Sequence, residues 1–144
     1  MYDVNTKRID EVLNHIGQML ALLGELTERQ DAELVGDRIL TAAMERGLHL
    51  VIEGIIDVGN CLIDGFIMRD PGSYADIVEI LRDETVVSEE QARSYTDVVE
   101  FRKHLINDYT RVPAEEMVKV VRKSLESLHQ FAPSVRTYVE KELF

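Results

Sequence analysis

Apolar side chains recur every three or four residues along most of the chain, which is the spacing of one face of an α-helix. In the first segment these side chains are Ile9, Val12, Leu13, Ile16, Leu20 and Leu23. The pattern predicts a helix over about 5–26, with Asn5 or Thr6 as its N-cap. A second, long helix is predicted over about 31–66, because Pro71 in the turn-forming cluster 69–73 ends any helix before it.

Further helices are predicted after that turn, at about 74–83, 88–107, 113–130 and 134–142. Ser73 and a capping box between Ser88 and Gln91 mark the first two starts, and Pro113 and Pro133 mark the last two. Since the connections are short, neighbouring helices should be antiparallel. The chain is therefore predicted to be all-α: an antiparallel bundle of about five to six helices in a single domain, 1–144.

The charge distribution bears on possible partners. The net charge is −11, which argues against broad, non-specific binding of nucleic acid. The charge is uneven, however: residues 1–98 hold eight basic and 20 acidic side chains, whereas residues 99–144 hold eight basic and seven acidic ones. Any contact with phosphate is therefore expected in the C-terminal third.

Three sequence features predict the cellular compartment. The single cysteine, Cys61, excludes an intrachain disulfide and favours a reducing environment. The longest apolar run, 47–68, is interrupted by ionisable side chains and cannot be a plain membrane span. The N-terminal residues lack the apolar stretch of a signal peptide. We therefore expect a soluble cytoplasmic protein without a membrane contact, and the sequence predicts no bound cofactor.

One narrow polar line runs along the otherwise apolar second helix. It consists of His49, Glu53, Asp57, Asn60 and Asp64, which lie within roughly 80° of one another on the helix surface. It has three interpretations: a solvated face, a buried polar network at an interface, or a metal site. For a metal site, Glu53 and Asp57 could share a cation and His49 could be an added ligand. We call these five residues the polar stripe.

The same helix carries four glycines, at positions 47, 54, 59 and 65. Each glycine in a helix interior costs about 1 kcal/mol of stability relative to alanine. So many glycines therefore predict the close approach of another backbone, which is typical of tight helix–helix packing.

A second set of candidate residues lies at the end of the fourth predicted helix. Arg102 and Tyr109 are seven residues apart, so they would share one face of a continuous helix. Lys103 and Arg111 add positive charge nearby, where they could bind nucleic acid. An Arg and a Tyr at this spacing are common surface residues, so the spacing alone does not identify a site.

The segment resembles the active-site motif of the HepT-like family, a branch of the HEPN superfamily. That motif is an Arg, four residues, a His, any residue and a Tyr, and it aligns with Arg102, Asn107 and Tyr109. The segments 57–60 and 62–74 are also very similar to a bacterial member of that family.

The resemblance implies a metal-independent endoribonuclease of the toxin–antitoxin type, with a minimal nucleotidyltransferase as antitoxin. It also implies a homodimer in which two copies of the motif line a shared cleft for RNA. In this family the His would take a proton from a ribose 2′-hydroxyl, and the Arg would stabilise charge on the phosphate. The Tyr is the residue that the partner enzyme modifies with AMP.

Asn107 departs from the family motif, because it stands where the His is expected. An amide has no useful pKa and cannot act as a general base near neutral pH. His104 should face away from Arg102, since two residues rotate a helix by about 200°. Asp108 is a further possible base, but nothing in the sequence raises its pKa. Ribonuclease activity is therefore expected to be weak or lost.

Three functions follow from these observations. The first is a HepT-like ribonuclease or RNA-binding protein, with Arg102, Asn107 and Tyr109 at its site. The second is a non-catalytic dimeric interaction protein that binds a nucleotidyltransferase. The third is a metal-dependent all-α nucleotide hydrolase that uses Glu53 and the aspartates 57 and 64.

Overall fold

The structure is a computed structural model that describes residues 2–144. Its helices are α1 Thr6–Leu26, α2 Asp31–Gly36, α3 Arg38–Gly65, α4 Tyr74–Asp83, α5 Glu89–Glu100, α6 Arg102–Ile106, α7 Ala114–His129 and α8 Phe131–Leu143. No strand occurs in the described part of the chain. Two of the predicted helices are each interrupted once, which gives α2 with α3 and α5 with α6, and the predicted all-α bundle is confirmed.

Helix α3 is the centre of the bundle. It packs against α1 along its length and also contacts α2, α4, α6 and α7. Its buried face includes Leu48, Val51, Ile52 and Leu62, none of which exposes any surface. Burying an apolar side chain of this size contributes about 1.5–3 kcal/mol to the stability of the fold. Helix α3 is therefore firmly packed in the core, and its remaining face carries polar side chains. Within residues 2–144, no helix is both long and apolar enough to cross a membrane.

The prediction of one uninterrupted helix over 31–66 is wrong. The chain leaves helical geometry at Asp37, which has extended backbone angles, and α3 begins at the next residue. The Asp37 carboxylate accepts hydrogen bonds from the backbone N–H groups of Ile39 and Leu40, at 2.8 and 3.3 Å. Aspartate is a preferred N-cap and the preceding Gly36 is a poor helix former, so the interruption has a local cause.

The fourth predicted helix is also interrupted, at Phe101. The N–H group of His104 donates to the Phe101 carbonyl at 3.0 Å, a three-residue spacing that tightens the helix locally. The Phe101 side chain is buried in the core. Helix α6 then ends at Ile106, where Asn107 and Asp108 follow, both of which favour turns over helix interiors.

The glycines of α3 are closely packed, as predicted. Their neighbours are mostly side chains, however, whereas the sequence predicted another backbone. A Cβ atom added at Gly54 would lie 2.6 Å from Ile16 Cγ1 of α1, and one added at Gly47 would lie 3.2 Å from Leu23 Cδ2. Only at Gly65 is a backbone the obstacle, because the Cα atom of Val4 would lie 2.9 Å away.

Candidate functional site

Arg102 is held at the surface by two residues that are distant in the sequence. Its Nε donates a hydrogen bond of 2.6 Å to Glu53 Oε1, which belongs to α3. Its guanidinium also lies over the ring of Tyr74, the first residue of α4, with 4.6 Å between the guanidinium carbon and the ring centroid. The two contacts fix a planar cation whose side chain is about one-quarter exposed.

The contact with Glu53 occupies only one of the donating nitrogens of Arg102. Among residues 2–144, neither Nη1 nor Nη2 of Arg102 has a hydrogen-bond partner. The hydrogen bond that Arg102 donates to Glu53 raises the pKa of Arg102, so the side chain stays charged. The two terminal nitrogens form the fork that suits a phosphate or a carboxylate.

Tyr74 is positioned by the turn between α3 and α4, which is stabilised by several hydrogen bonds to Asp76. Arg69 donates from both terminal nitrogens to the two carboxylate oxygens of Asp76, at 2.8 and 2.9 Å. The Gly72 N–H group donates to the same carboxylate at 2.9 Å, and Ser73 caps α4 through the Asp76 N–H group. The hydrogen bonds from Arg69 and Gly72 lower the pKa of Asp76 to about 2.

A cavity of about 260 Å³ opens beside Arg102. It is lined by Tyr74, Ala75, Val99, Glu100, Arg102, Lys103, Ile106 and Asn107. We call it the Arg102 cavity. It therefore brings together three of the residues that the sequence singled out: a fixed cation at 102, a second cation at 103 and the amide at 107.

Asn107, and not His104, shares this cavity with the arginine. Asn107 follows the last residue of α6 and is exposed. His104 does not line the cavity, as far as residues 2–144 are concerned. Its ring packs against Phe101 at 5.0 Å between centroids, and its Nδ1 lies 3.3 Å from Asp108 Oδ2. His104 is therefore not the imidazole beside Arg102. The His49 ring is closer, because its Nε2 lies 3.4 Å from Glu53 Oε1, the same oxygen that accepts from Arg102 Nε.

Tyr109 does not share a helical face with Arg102, which corrects the expectation drawn from their spacing. Helix α6 ends at Ile106, so Tyr109 lies in the following turn, which the hydrogen bond from the Arg111 N–H group to the Asp108 carbonyl closes at 2.8 Å. Tyr109 is 72% exposed and Arg111 is also exposed. Both side chains are accessible to a partner, but neither lines the Arg102 cavity.

The polar stripe lies along the exposed side of α3 and divides into two parts. His49, Glu53 and Asp57 are half-buried, whereas Asn60 and Asp64 are exposed. Glu53 lies between His49 Nε2, at 3.4 Å, and Arg102. Asp57 lies 3.5 Å from Arg8 of α1. These carboxylates therefore face cations supplied by α1 and α6.

The structure gives no support for metal binding by the stripe. Within residues 2–144, no three His, Cys, Asp or Glu side chains are grouped so that they could hold a metal ion. Oxygen-rich cation sites normally need several such ligands. The pairing of Glu53 with Arg102 further reduces the negative charge that a cation would find there.

Two members of the site were not predicted from the sequence. Tyr74 is far from the Arg–Tyr motif in the sequence, and only the fold brings it to Arg102. Glu100 is close to the motif, but its spacing did not mark it as a lining residue of the cavity. The one available signal was the cap at Ser73, which indicates that Tyr74 begins a helix directly after a tight turn. The role of Glu53 as the partner of Arg102 was also missed, because their 49-residue separation conceals the contact.

The chain is similar to known proteins in both sequence and structure. YutE of Bacillus subtilis (strain 168), which is named as a proposed RNase, is 38% identical over 143 residues, covering 99% of this chain and 95% of YutE. A solved structure of YutE, described as a cytosolic protein of unknown function, has a TM-score of 0.90 at 37% identity, covering 99% of this chain and 96% of that one.

A more distant structure has the same fold. It is a tri-AMPylated HEPN toxin of Shewanella oneidensis in complex with an MNT antitoxin. The TM-score is 0.80 at 18% identity, covering 90% of this chain and 97% of that chain. The HEPN-like fold class is thereby confirmed. The model of the family described as Ribonuclease HepT-like matches residues 9–135, and the chain belongs to this family.

Proposed function

We propose that the protein binds RNA at a surface centred on Arg102 and that it cleaves RNA weakly or not at all. The main support for this proposal is the fixed guanidinium of Arg102. Glu53 holds its Nε, while Nη1 and Nη2 are free to donate to a phosphate. An arginine pre-oriented in this way can bind a phosphate oxygen pair without losing side-chain freedom on binding. The membership of the Ribonuclease HepT-like family supports RNA as the ligand.

Weak cleavage follows from the residue beside Arg102. Asn107 lines the cavity where a general base would be needed, and its amide cannot take a proton from a 2′-hydroxyl at neutral pH. Lys103 lines the same cavity and Arg111 is exposed on the next turn, so both can contact neighbouring phosphates. The cavity therefore keeps groups that can bind phosphate, but at the position aligned with the family's His it has an amide that cannot start the reaction.

We further propose a homodimer, in which two copies of Arg102, Asn107 and Tyr109 line one cleft. Tyr109 is a large side chain that one chain leaves 72% exposed outside the Arg102 cavity. A two-fold contact at Tyr109 would cover apolar surface and join the two sites while leaving the cavity open. Sedimentation at micromolar concentration should give twice the chain mass of 16.5 kDa, and a monomer mass would contradict this assembly.

An MNT-type nucleotidyltransferase is the proposed protein partner. The Shewanella HEPN toxin was solved as an AMPylated protein with such an antitoxin, and in this chain Tyr109 is a tyrosine that is 72% exposed and lies two residues before Arg111. Mass spectrometry after incubation with ATP and such an enzyme should find AMP on the wild type. The Tyr109→Phe variant should remain unmodified, and equal modification of both proteins would exclude Tyr109 as the acceptor.

The RNA-binding proposal is tested by fluorescence anisotropy with a labelled single-stranded RNA, in EDTA. Arg102→Ala should weaken binding about tenfold, since a charge-assisted bidentate contact would be lost. Arg93→Ala is the matched control, because Arg93 is an exposed arginine that lines a different cavity. Equal affinities for Arg102→Ala and Arg93→Ala, or no binding by the wild type, would contradict the proposal.

A further inference from the structure

We propose that the Arg102 cavity takes one unstacked nucleobase of single-stranded RNA. This inference rests on the proposed RNA binding and specifies which part of the RNA occupies the cavity. Single-stranded RNA is commonly recognised by bases that splay out and stack on aromatic rings or on guanidinium planes. Both kinds of plane line the cavity: the Tyr74 ring, which is 46% exposed, and the Arg102 guanidinium. Because each covers one face of the other, a base would stack on the outer face of either.

The walls of the cavity suit a flat, largely apolar ring. Tyr74 is 46% exposed although it is aromatic, and Ile106 is 38% exposed. Ala75 and the buried Val99 complete the apolar lining. A volume of about 260 Å³ is below the range of roughly 300–1,000 Å³ that is usual for drug-sized ligands. A single nucleobase is smaller than a drug-sized ligand, so the volume of the cavity is of the right order for one base.

The charged groups at the cavity are arranged for a base that is attached to a phosphate. Arg102, whose Nη1 and Nη2 have no hydrogen-bond partner among residues 2–144, lines the cavity, and Lys103 is a second cation in its lining. A base inside the cavity would therefore leave its own or the adjacent phosphate next to these two cations. A neutral apolar ligand would make no use of either charge.

Two polar residues of the lining favour a base that carries an amino group. An ionised Glu100 only accepts hydrogen bonds, while the Asn107 amide both donates and accepts. A carboxylate pairs with the N4 amino group of cytosine, and uracil has a carbonyl oxygen at that position. Since the two pyrimidines are otherwise nearly the same size, we expect the cavity to prefer cytosine.

The experiment compares labelled oligo(C) and oligo(U) of equal length, measured by anisotropy in EDTA. The wild type should bind oligo(C) several-fold more tightly, and Glu100→Gln should remove most of that difference. Tyr74→Leu should weaken binding about tenfold, as is typical for the loss of one stacked base. Tyr74→Phe keeps the ring and should bind like the wild type, and thermal melts verify that every variant is folded.

The outcomes separate this inference from the proposed function. If the wild type binds RNA in an Arg102-dependent way, but equally for oligo(C) and oligo(U) and without an effect of Tyr74→Leu, the base cavity is wrong and the RNA-binding proposal stands. If the wild type binds neither oligomer, both proposals fail. Loss of binding in Tyr74→Phe as well as in Tyr74→Leu would also overturn stacking, because the ring is still present in the Phe variant.

Discussion

Glu53 and Arg102 are 49 residues apart in the chain and are joined by a 2.6 Å hydrogen bond from Nε to Oε1. The bond connects the centre of α3 with the start of α6, and it orients the one arginine on which the proposed RNA contact depends. It leaves Nη1 and Nη2 of Arg102 without a hydrogen-bond partner among residues 2–144. The relationship therefore links the polar stripe, which the sequence presented as a separate feature, to the Arg–Tyr motif.

The energetic coupling of this pair is the first prediction. In a double-mutant cycle with Glu53→Gln and Arg102→Lys, urea unfolding should give a coupling of about 0.5–1 kcal/mol, because both side chains are partly shielded from water. The matched control is the cycle of Asp57→Asn with Arg8→Lys, whose partners are each 46% exposed and 3.5 Å apart. Its coupling should be close to zero, and equal couplings in the two cycles would show that Glu53 does not hold Arg102.

The second prediction concerns acid stability and the turn that carries Tyr74. Hydrogen bonds from Arg69 and Gly72 lower the folded-state pKa of Asp76 to about 2, from an ordinary value of 3.8. A lowered pKa stabilises the folded protein above about pH 4, and this contribution is lost as the pH falls towards 2. Asp76→Asn should therefore lower the melting temperature at pH 6, and the difference from the wild type should shrink between pH 4 and 2. A difference independent of pH would contradict the assignment.

The third prediction concerns the close packing of α3 on α1. Gly54→Ala should destabilise the protein by about 1–3 kcal/mol, because the new Cβ atom would lie 2.6 Å from Ile16 Cγ1. Gly17→Ala is the control on α1, where nothing lies within 4 Å of an added Cβ. That variant should gain about 0.5–1 kcal/mol from its higher helix propensity. Denaturant unfolding measures both changes, and a stable Gly54→Ala protein would mean that α1 and α3 can separate at little cost.

The fourth prediction concerns the end of α4. Thr85 has a φ of 62°, a left-handed conformation that is unfavourable for a β-branched residue. The Val86 N–H group donates to the Leu81 carbonyl at 2.9 Å, so Thr85 occupies the position where glycine usually ends a helix. Thr85→Gly should stabilise the protein by about 0.5–1 kcal/mol in thermal unfolding. Thr96→Gly, inside α5, should destabilise it, and a loss of stability in both variants would refute the strain at Thr85.

The parts of the fold that local signals control were predictable. The bounds of α1 and α4 follow from apolar spacing and from caps at Asn5 and Ser73, and the Ser88–Gln91 capping box is present as expected. The sequence did not predict the interruption at Asp37. An aspartate within a continuous apolar pattern can be an exposed helix residue or the N-cap of a new helix, and the pattern is the same in both cases. These features depend only on residues within a turn or two of one another.

The site was less predictable, because it depends on contacts between distant segments. The sequence indicated Arg102 and Asn107, but it could not show that Glu53 and Tyr74 would hold the arginine, since those contacts exist only after α3 and α4 have packed. The placement of Tyr109 was wrong for a related reason. Angular positions on a helix apply only while the helix continues, and α6 ends three residues before the tyrosine.

The central claim is that the site binds RNA through Arg102 and that Asn107 stands where the family's general base is expected. The most direct test is the cleavage of labelled RNA in EDTA by the wild type, Asn107→His, and Asn107→His combined with Arg102→Ala, with Asn107→Gln as the control. A positioned general base contributes roughly 10²- to 10⁴-fold. We predict little cleavage by the wild type or Asn107→Gln, a clear gain in Asn107→His, and loss of that gain without Arg102. Strong cleavage by the wild type, or no gain in Asn107→His, would contradict the account.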